Sequence, residues 1–320
     1  MTDACQEIPL PLAIPGYRVP AMLSLPAGRP VGGVLLVPGS LYSDVNGDYP
    51  AWNAFPHTSG HIARQMARRG LVVYRFAKLG PGTGSEVTDA DAAVGIRTWA
   101  GRMTIARLAL AAFRAALAER GIIVPRLVLA GHSEGAVVVS VLARDGVDAD
   151  GVALLAGPAV GILSVMREQV PAMRPPDDRE AIAADLEQVI AAIMNGDPLP
   201  AWVKEREGIG GLALMPPEAH RYLRDSELTH PAETIAGYAG PLLVVQGTAD
   251  QNLGVHHAER LRDAHVLGPT ELVLLDGLSH MFKRLPPGVD GQEAFGFPGE
   301  TDPRVAAAVA RWIERLTVGG

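Results

Sequence analysis

An apolar run, Val128-Leu129-Ala130, delivers the pentapeptide Gly131-His132-Ser133-Glu134-Gly135, and Ala136 to Leu142 continues as an apolar, helix-like segment. No other stretch constrains the fold as tightly. A strand that passes straight into a helix through Gly-x-Ser-x-Gly lifts its serine out of the fold on a strained backbone. Glycines two positions either side leave room for neighbouring elements. Ser133 is therefore a candidate nucleophile. A glycine-rich turn would read the same way, so the assignment rests on the partners the chain supplies.

Outward from this stretch, strand-like and helix-like segments alternate. Ile8 to Leu25, broken by Pro15-Gly16, reads as two antiparallel strands and a turn. Val31 to Val37 is a continuous apolar run of the kind covered on both faces of a parallel sheet. A polar loop and a helix follow, the helix starting at Thr58 or Ser59 and stopping at Gly70. Leu71 to Phe76 reads as a strand and Leu79 to Ser85 as a loop, with a loose polar segment to about Gly95. That glycine-rich loop lacks the Gly-Lys-Ser/Thr ending of a phosphate loop and does not open a helix, so it is a turn and not a nucleotide site. Met103 to Arg120 sets Ile105, Leu108, Ala109, Ala112, Phe113, Ala116 and Leu117 on one helical face ahead of Gly121. Ile122 to Ala130 is the strand into Ser133, and Gly151 to Ala156 is a further strand.

Between Pro158 and Ala239 the rhythm breaks: helices are expected at Ile162 to Val170, Asp177 to Met194 and Pro216 to Arg224, with no β-like run. It resumes with a strand at Pro241 to Val245, a turn at Gly247 to Asp250, a helix from His256 to His265 and a last strand at Glu271 to Leu275. A closing helix from Thr301 or Asp302 buries Val305, Val309, Trp312, Ile313 and Leu316. The whole predicts an α/β protein with a mostly parallel central sheet flanked by helices. Residues 1–157 and 240–320 form the core and 158–239 a helical insertion, with functional loops at the carboxyl ends of the strands.

Three such loops carry Ser133, Asp250 and His280. A neutral serine hydroxyl is a poor nucleophile, so an imidazole must take its proton and later return it to the leaving group. A carboxylate on the other ring nitrogen fixes the tautomer and stabilises the imidazolium. Two main-chain donors are needed for the oxyanion: Glu134 N–H, and Ser40 or Leu41 N–H after the Val31 to Val37 strand. The Glu134 side chain either supports this site or lies on the surface. Other histidines serve the base role less well. His132 is turned elsewhere by its place in the pentapeptide, and His256 and His257 begin a helix where exposure is the default. His57 and His61 lack both an intervening glutamate and a third ligand, so no metal and no cofactor are expected. Asp276 rivals Asp250 but reads as a turn residue.

These segments resemble bacterial serine carboxylesterases of the α/β-hydrolase superfamily that carry a helical lid. Pro38-Gly39-Ser40 with Asp44 and Gly47 is similar to that family's oxyanion loop, and Val73 to Ser85 to its Arg-Tyr-Asp-Lys-Arg-Gly-x-Gly-x-Ser segment. Gly131 to Gly135 resembles its nucleophile elbow, Val245-Gln246-Gly247-x-x-Asp250 its acid loop and Ser279 to Lys283 its histidine loop. Pro38 stands where the family has His, Leu41-Tyr42 replaces Gly-Pro, and Ala77 falls where Asp is usual. The resemblance implies the α/β-hydrolase fold with the 158–239 lid, and an esterase with a Ser133–His280–Asp250 triad. Thioesterase, amidase or peptidase, lactonase and acyltransferase share those parts. Epoxide hydrolases and dehalogenases need a carboxylate where Ser133 stands. A ligand-binding protein on a retired scaffold would have lost a triad member.

The expected partner is a small-molecule ester with an apolar moiety. Tyr42, Met166, Trp202, Met215 and Met281 are expected in the pocket wall, while most other apolar residues of the insertion seat it on the core. A net charge of −7 without a dense basic run argues against nucleic acid or an anionic membrane surface. One cysteine, Cys5, allows no intrachain disulfide. Met1 to Ile8 carries acidic residues where a secretory leader would be basic, and no apolar run approaches the ~20 residues of a membrane span. A cytoplasmic protein is the expectation, with the insertion available as a homodimer interface.

Overall fold

The computed structural model describes residues 5–316; residues 1–4, part of the stretch read for a leader, lie outside them. The strands are β1 (Gln6–Pro9), β2 (Leu12–Ile14), β3 (Tyr17–Val19), β4 (Ala21–Leu25), β5 (Gly32–Val37), β6 (Leu71–Phe76), β7 (Glu86–Val87), β8 (Leu127–His132), β9 (Gly151–Leu155), β10 (Leu242–Gly247) and β11 (Thr270–Leu275). The helices are α1 (Thr58–Ala67), α2 (Ala90–Ile96), α3 (Trp99–Glu119), α4 (Glu134–Arg144), α5 (Ile162–Ala172), α6 (Arg179–Asn195), α7 (Gly210–Ala213), α8 (Pro217–Glu227), α9 (Pro231–Ala236), α10 (Val255–Ala264), α11 (Gly291–Gly296) and α12 (Arg304–Arg315). None of them is long and apolar enough to cross a membrane.

Among the described residues an eight-stranded sheet runs in the order β1-β4-β6-β5-β8-β9-β10-β11. From β6 to β11 every pairing is parallel, and β4 and β1 add an antiparallel edge. The apolar runs of β5, β6, β8, β9 and β10 are buried along their whole length, as strands covered on both faces must be. One face packs Val34, Leu36, Val128 and Val245 against Ile62 and Met66 of α1 and Val309 and Trp312 of α12. The other packs Leu35, Val37 and Leu129 against Phe113 of α3, Val138 of α4 and Leu261 of α10. From β5 the chain steps to β6 on one side and returns to β8 on the other. The loops leaving β5 and β8 therefore diverge, and the crevice between them is where such sheets hold ligands.

Register explains the two glycines of the pentapeptide. Val37 pairs with Gly131, so the start of α4 passes directly over the end of β5. A Cβ on Gly135 would lie 2.3 Å from the Val37 carbonyl oxygen, and one on Gly131 would lie 2.1 Å from that of Gly135. Neither contact is available to a larger residue.

Element by element, the structure departs from the sequence reading in several places. Ile8 to Leu25 holds four short strands: β2 and β3 form the hairpin at Pro15-Gly16, whereas β1 pairs with β4. The segment up to Gly95 contains α2, whose amides are capped by Asp89. Capped by Thr98, α3 begins at Trp99, four residues ahead of Met103. Strand β8 begins only at Leu127 because Pro125 cannot donate to a ladder. Among the described residues 158–239 contribute no strand, and their helices include α7 and α9 beyond the three expected. The insertion also carries an apolar cluster of its own, with Leu163, Ile182, Leu186, Val189, Ile190 and Ile193.

Candidate active site

Ser133 sits between β8 and α4 with φ 53° and ψ −122°, a region that side-chain-bearing residues rarely adopt. The turn is held by Ser133 N–H donating to Leu155 O at 2.9 Å. As the first residue of α4, Glu134 has an N–H with no intrahelical acceptor. Across the crevice Gly39 presses on the turn, where a Cβ would lie 3.2 Å from Ser133 Cβ. Leu41, two residues further along the same loop, is also left-handed at φ 63°.

The acid and histidine loops meet beside this turn. His280 Nδ1 lies 2.8 Å from Asp250 Oδ2. The Asp250 carboxylate is sequestered and also accepts from Gln246 Nε2 at 2.8 Å, Asn252 N–H at 2.8 Å and Leu253 N–H at 2.9 Å. Burial raises its pKa, but the charge and hydrogen bond of His280, with Leu253 N–H and Gln246, outweigh burial and hold the carboxyl below its ordinary value. It is the anion that His280 faces. His132 is not turned away as expected: its ring lies 5.0 Å from that of His280, and its Nε2 donates to His280 O at 2.9 Å. Burial, and then the neighbouring His280, pull His132 down to about 4, so it is the uncharged, Nε2-protonated tautomer.

Ser133 and His280 line one cavity of about 260 Å³. Ser40, Leu41 and Tyr49 reach it from the segments after β5, and Met281 and Phe295 from those after β11. Ile162, Val165 and Gln169 of α5, Ser226 of α8 and Pro231 of α9 bring the insertion to it. Ser133 and His280, and the segments at Ser40, Leu41 and Glu134, are thus brought together, with Asp250 behind the imidazole. Ser133 Oγ and His280 Nε2 share the space without a hydrogen bond among those of the described residues.

Of the expected pocket residues, the structure places Met281 in the wall and four elsewhere. Met166 packs on the insertion's own apolar cluster, and Trp202 and Met215 are exposed. Tyr42 stacks on Trp52 at 6.1 Å and lies over Gly80, whose absent side chain makes room for its ring. Most of the insertion's apolar residues bury one another; Ile162 and Val165 face the cavity, and Ala159 and Ile235 are the ones buried in the main core. Trp99, Tyr49 and Phe295 line the cavity without having been singled out. Ile162 and Val165 do too, and their spacing of three on one helix is the signal that could have marked them.

The side chain of Glu134 is buried. Its Oε1 accepts from Lys78 Nζ at 2.7 Å, Arg102 Nε at 3.2 Å and Tyr222 OH at 2.8 Å. His257 corrects the expectation of exposure, being wholly buried, while His256 is exposed. Each places Nε2 3.1 Å from Glu168 Oε2, a cluster with metal-ligand spacing. Yet His257 Nδ1 accepts from Ala159 N–H at 3.2 Å, so its proton sits on Nε2, the nitrogen a metal would need. The cluster is a hydrogen-bonded clip between α5 and α10. His57 pairs with Asp48 at 2.7 Å, and His61 Nδ1 accepts from Thr301 N–H at 3.3 Å. Asp276 is a turn residue, its carboxylate 3.4 Å from Thr248 Oγ1.

No protein-family model and no curated protein matches the sequence. The backbone is similar over nearly its whole length to solved structures of low identity. Est1E from Butyrivibrio proteoclasticus is 15% identical, with 96% of this chain and 98% of that one covered and a TM-score of 0.56. Proline iminopeptidase from Mycobacterium smegmatis is 16% identical, with 97% and 98% covered and a TM-score of 0.55. The esterase domain of a Rhodothermus marinus protein is 17% identical, with 98% of each chain covered and a TM-score of 0.53. The chain has the α/β-hydrolase fold. Fold alone does not assign an activity, which must come from the site.

Proposed function

We propose that this protein is a serine hydrolase that cleaves carboxylic esters through an acyl-enzyme. One observation carries the reading: Ser133, on its strained turn, shares a cavity with an imidazole whose other nitrogen is held by a buried, fully hydrogen-bonded aspartate. A turn of the Ser133 side chain brings Oγ to His280 Nε2, which takes the proton as Oγ attacks the carbonyl carbon. Glu134 N–H, with Ser40 or Leu41 N–H, receives the oxyanion. His280 then protonates the departing alcohol, and water repeats the sequence on the acyl-enzyme.

The cavity wall supports an uncharged substrate. Among its described residues Glu134 is the single acid, and no lysine or arginine is present. The Glu134 carboxylate is already engaged by Lys78, Arg102 and Tyr222, so nothing is left to capture a free amine or a phosphate. The volume lies just below the range of ~300–1,000 Å³ common for ligand pockets, which favours compact esters. The test is hydrolysis of a short-chain aryl ester by Ser133→Ala. Turnover should fall by several orders of magnitude with an unchanged circular-dichroism spectrum. Undiminished turnover in that variant would sink the proposal.

A further inference from the structure

We infer that Lys78, Arg102 and Glu134 are positioning residues that set the oxyanion hole, and that Tyr222 ties the helical insertion to them; the inference rests on the serine-hydrolase reading above. The three residues come from different elements. Lys78 follows β6, Arg102 lies in the first turn of α3, and Glu134 opens α4. Their side chains are 10%, 5% and 8% exposed, so the group is nearly dry.

Arg102 reaches both segments that bear the proposed oxyanion donors. Its Nε donates to Glu134 Oε1 at 3.2 Å and its Nη2 to Pro38 O at 2.8 Å. Glu134 bears one donor on its own backbone. Pro38 is the base of the loop whose Ser40 and Leu41 offer the other. A single rigid guanidinium thus fixes the span between the two donor segments. Lys78 secures both sides a second time. Its Nζ donates to Glu134 Oε1 at 2.7 Å, and its backbone N–H to Ser43 O at 2.9 Å, further along the same loop.

Charge gives the cluster a further role. Two cations surround one carboxylate, leaving a net positive charge in a low-dielectric setting beside the place where an oxyanion forms. Burial pulls the Lys78 ammonium down to about 8 against the pull of Glu134, so it is charged near neutrality. Burial raises the Glu134 pKa, but Lys78 and Arg102 outweigh it and keep the group a carboxylate. Stability alone is a poor reason for such a group, since well-packed apolar residues often replace a buried ion cluster without loss. Tyr222 of α8 donates to the same Oε1 at 2.8 Å with its ring 5.4 Å from Lys78 Nζ, and it packs edge-on against Trp99 of the cavity wall. The insertion is therefore anchored on the group that holds the donors.

The test is steady-state hydrolysis of a short aryl ester by the full chain carrying Lys78→Met, Lys78→Arg, Arg102→Met or Tyr222→Phe. The methionine variants should lower kcat about 10- to 100-fold, less than the ~100- to 1,000-fold that outright removal of one oxyanion donor costs, with KM within about twofold. Lys78→Arg should recover most of the activity because the charge is kept. Unchanged kcat in a folded methionine variant, or equal losses for Lys78→Arg and Lys78→Met, would overturn the inference. If neither methionine variant folds, Tyr222→Phe decides: a drop of a few-fold in kcat supports the inference, and wild-type kcat overturns it. Turnover that survives Ser133→Ala would instead remove the serine-hydrolase reading itself.

Discussion

Two residues facing the cavity hold a left-handed backbone, Ser133 at φ 53° and Leu41 at φ 63°, each at a cost of about 1–3 kcal/mol. In the proposed mechanism their strain sits where donors and nucleophile must be held, and the surrounding contacts sustain it. His132 bears a different burden. In the unfolded chain it takes a proton near pH 6.5, whereas in the fold burial and His280 delay this to about 4. Between those values the unfolded state binds more protons, so stability rises with pH across the window and falls on acidification. The single histidine accounts for roughly 3 kcal/mol at most. His61 is shifted the same way to about 4, but it is only partly buried and contributes less. His132→Gln, which keeps a donor for the His280 carbonyl, should lose less stability than the parent between pH 7 and 4.5 in urea unfolding. Parallel losses would mean that another group titrates. At this scale the convergence of Ser133, Asp250 and His280 was legible in the sequence because each lies in the loop that follows a recognisable strand. The fates of His132 and His257 were not, because burial is set by what packs over a residue.

Among the elements, α5 is capped by a distant partner. Its first amides, Leu163 N–H and Ser164 N–H, are accepted by Glu227 Oε2 of α8 at 2.7 and 3.2 Å, and Ser164 Oγ donates to Oε1 at 2.6 Å. A carboxylate placed there also meets the positive end of the helix dipole. Ile162 and Val165 of this helix line the cavity, so the cap holds part of the pocket wall. Glu227→Ala should cost about 1–2 kcal/mol, as helix caps do, and raise KM for the ester more than it lowers kcat. A melting temperature equal to the parent's would show that the cap is idle. Helix boundaries set by local capping were partly readable. The start of α5 at Ile162 was readable from its apolar run, but the partner that caps it from another helix was not, and neither were short pieces such as α9 and α11.

For the molecule as a whole, the sheet and its two helical faces form one body, and residues 158–239 carry a separate apolar cluster, joined to that body by Ala159 and Ile235, which are buried in the main core, and by polar ties. Those polar ties are Tyr222 to Glu134, Thr229 to Trp99, Gln169 to Asn252 and Glu168 to His257. Leu186, fully buried within the insertion, tests whether the two parts fail separately. Leu186→Ala should cost about 2–5 kcal/mol locally. Limited proteolysis should then cut within 158–239 first, while a fluorophosphonate still labels Ser133. Simultaneous loss of the whole fold would show the two parts to be one cooperative unit.

The sequence by itself determined the alternation of strands and helices, the parallel core, the strand-free helical stretch between Pro158 and Ala239 and the three loops that carry Ser133, Asp250 and His280. Each is written in local periodicity and in turn residues whose backbone demands are local. Only the tertiary structure decided what fills the pocket and what supports the site. The insertion's apolar positions read alike whether they face one another, the core or a substrate. The ties among Lys78, Arg102, Glu134, Tyr222 and Pro38 join residues up to 144 positions apart that no local pattern relates.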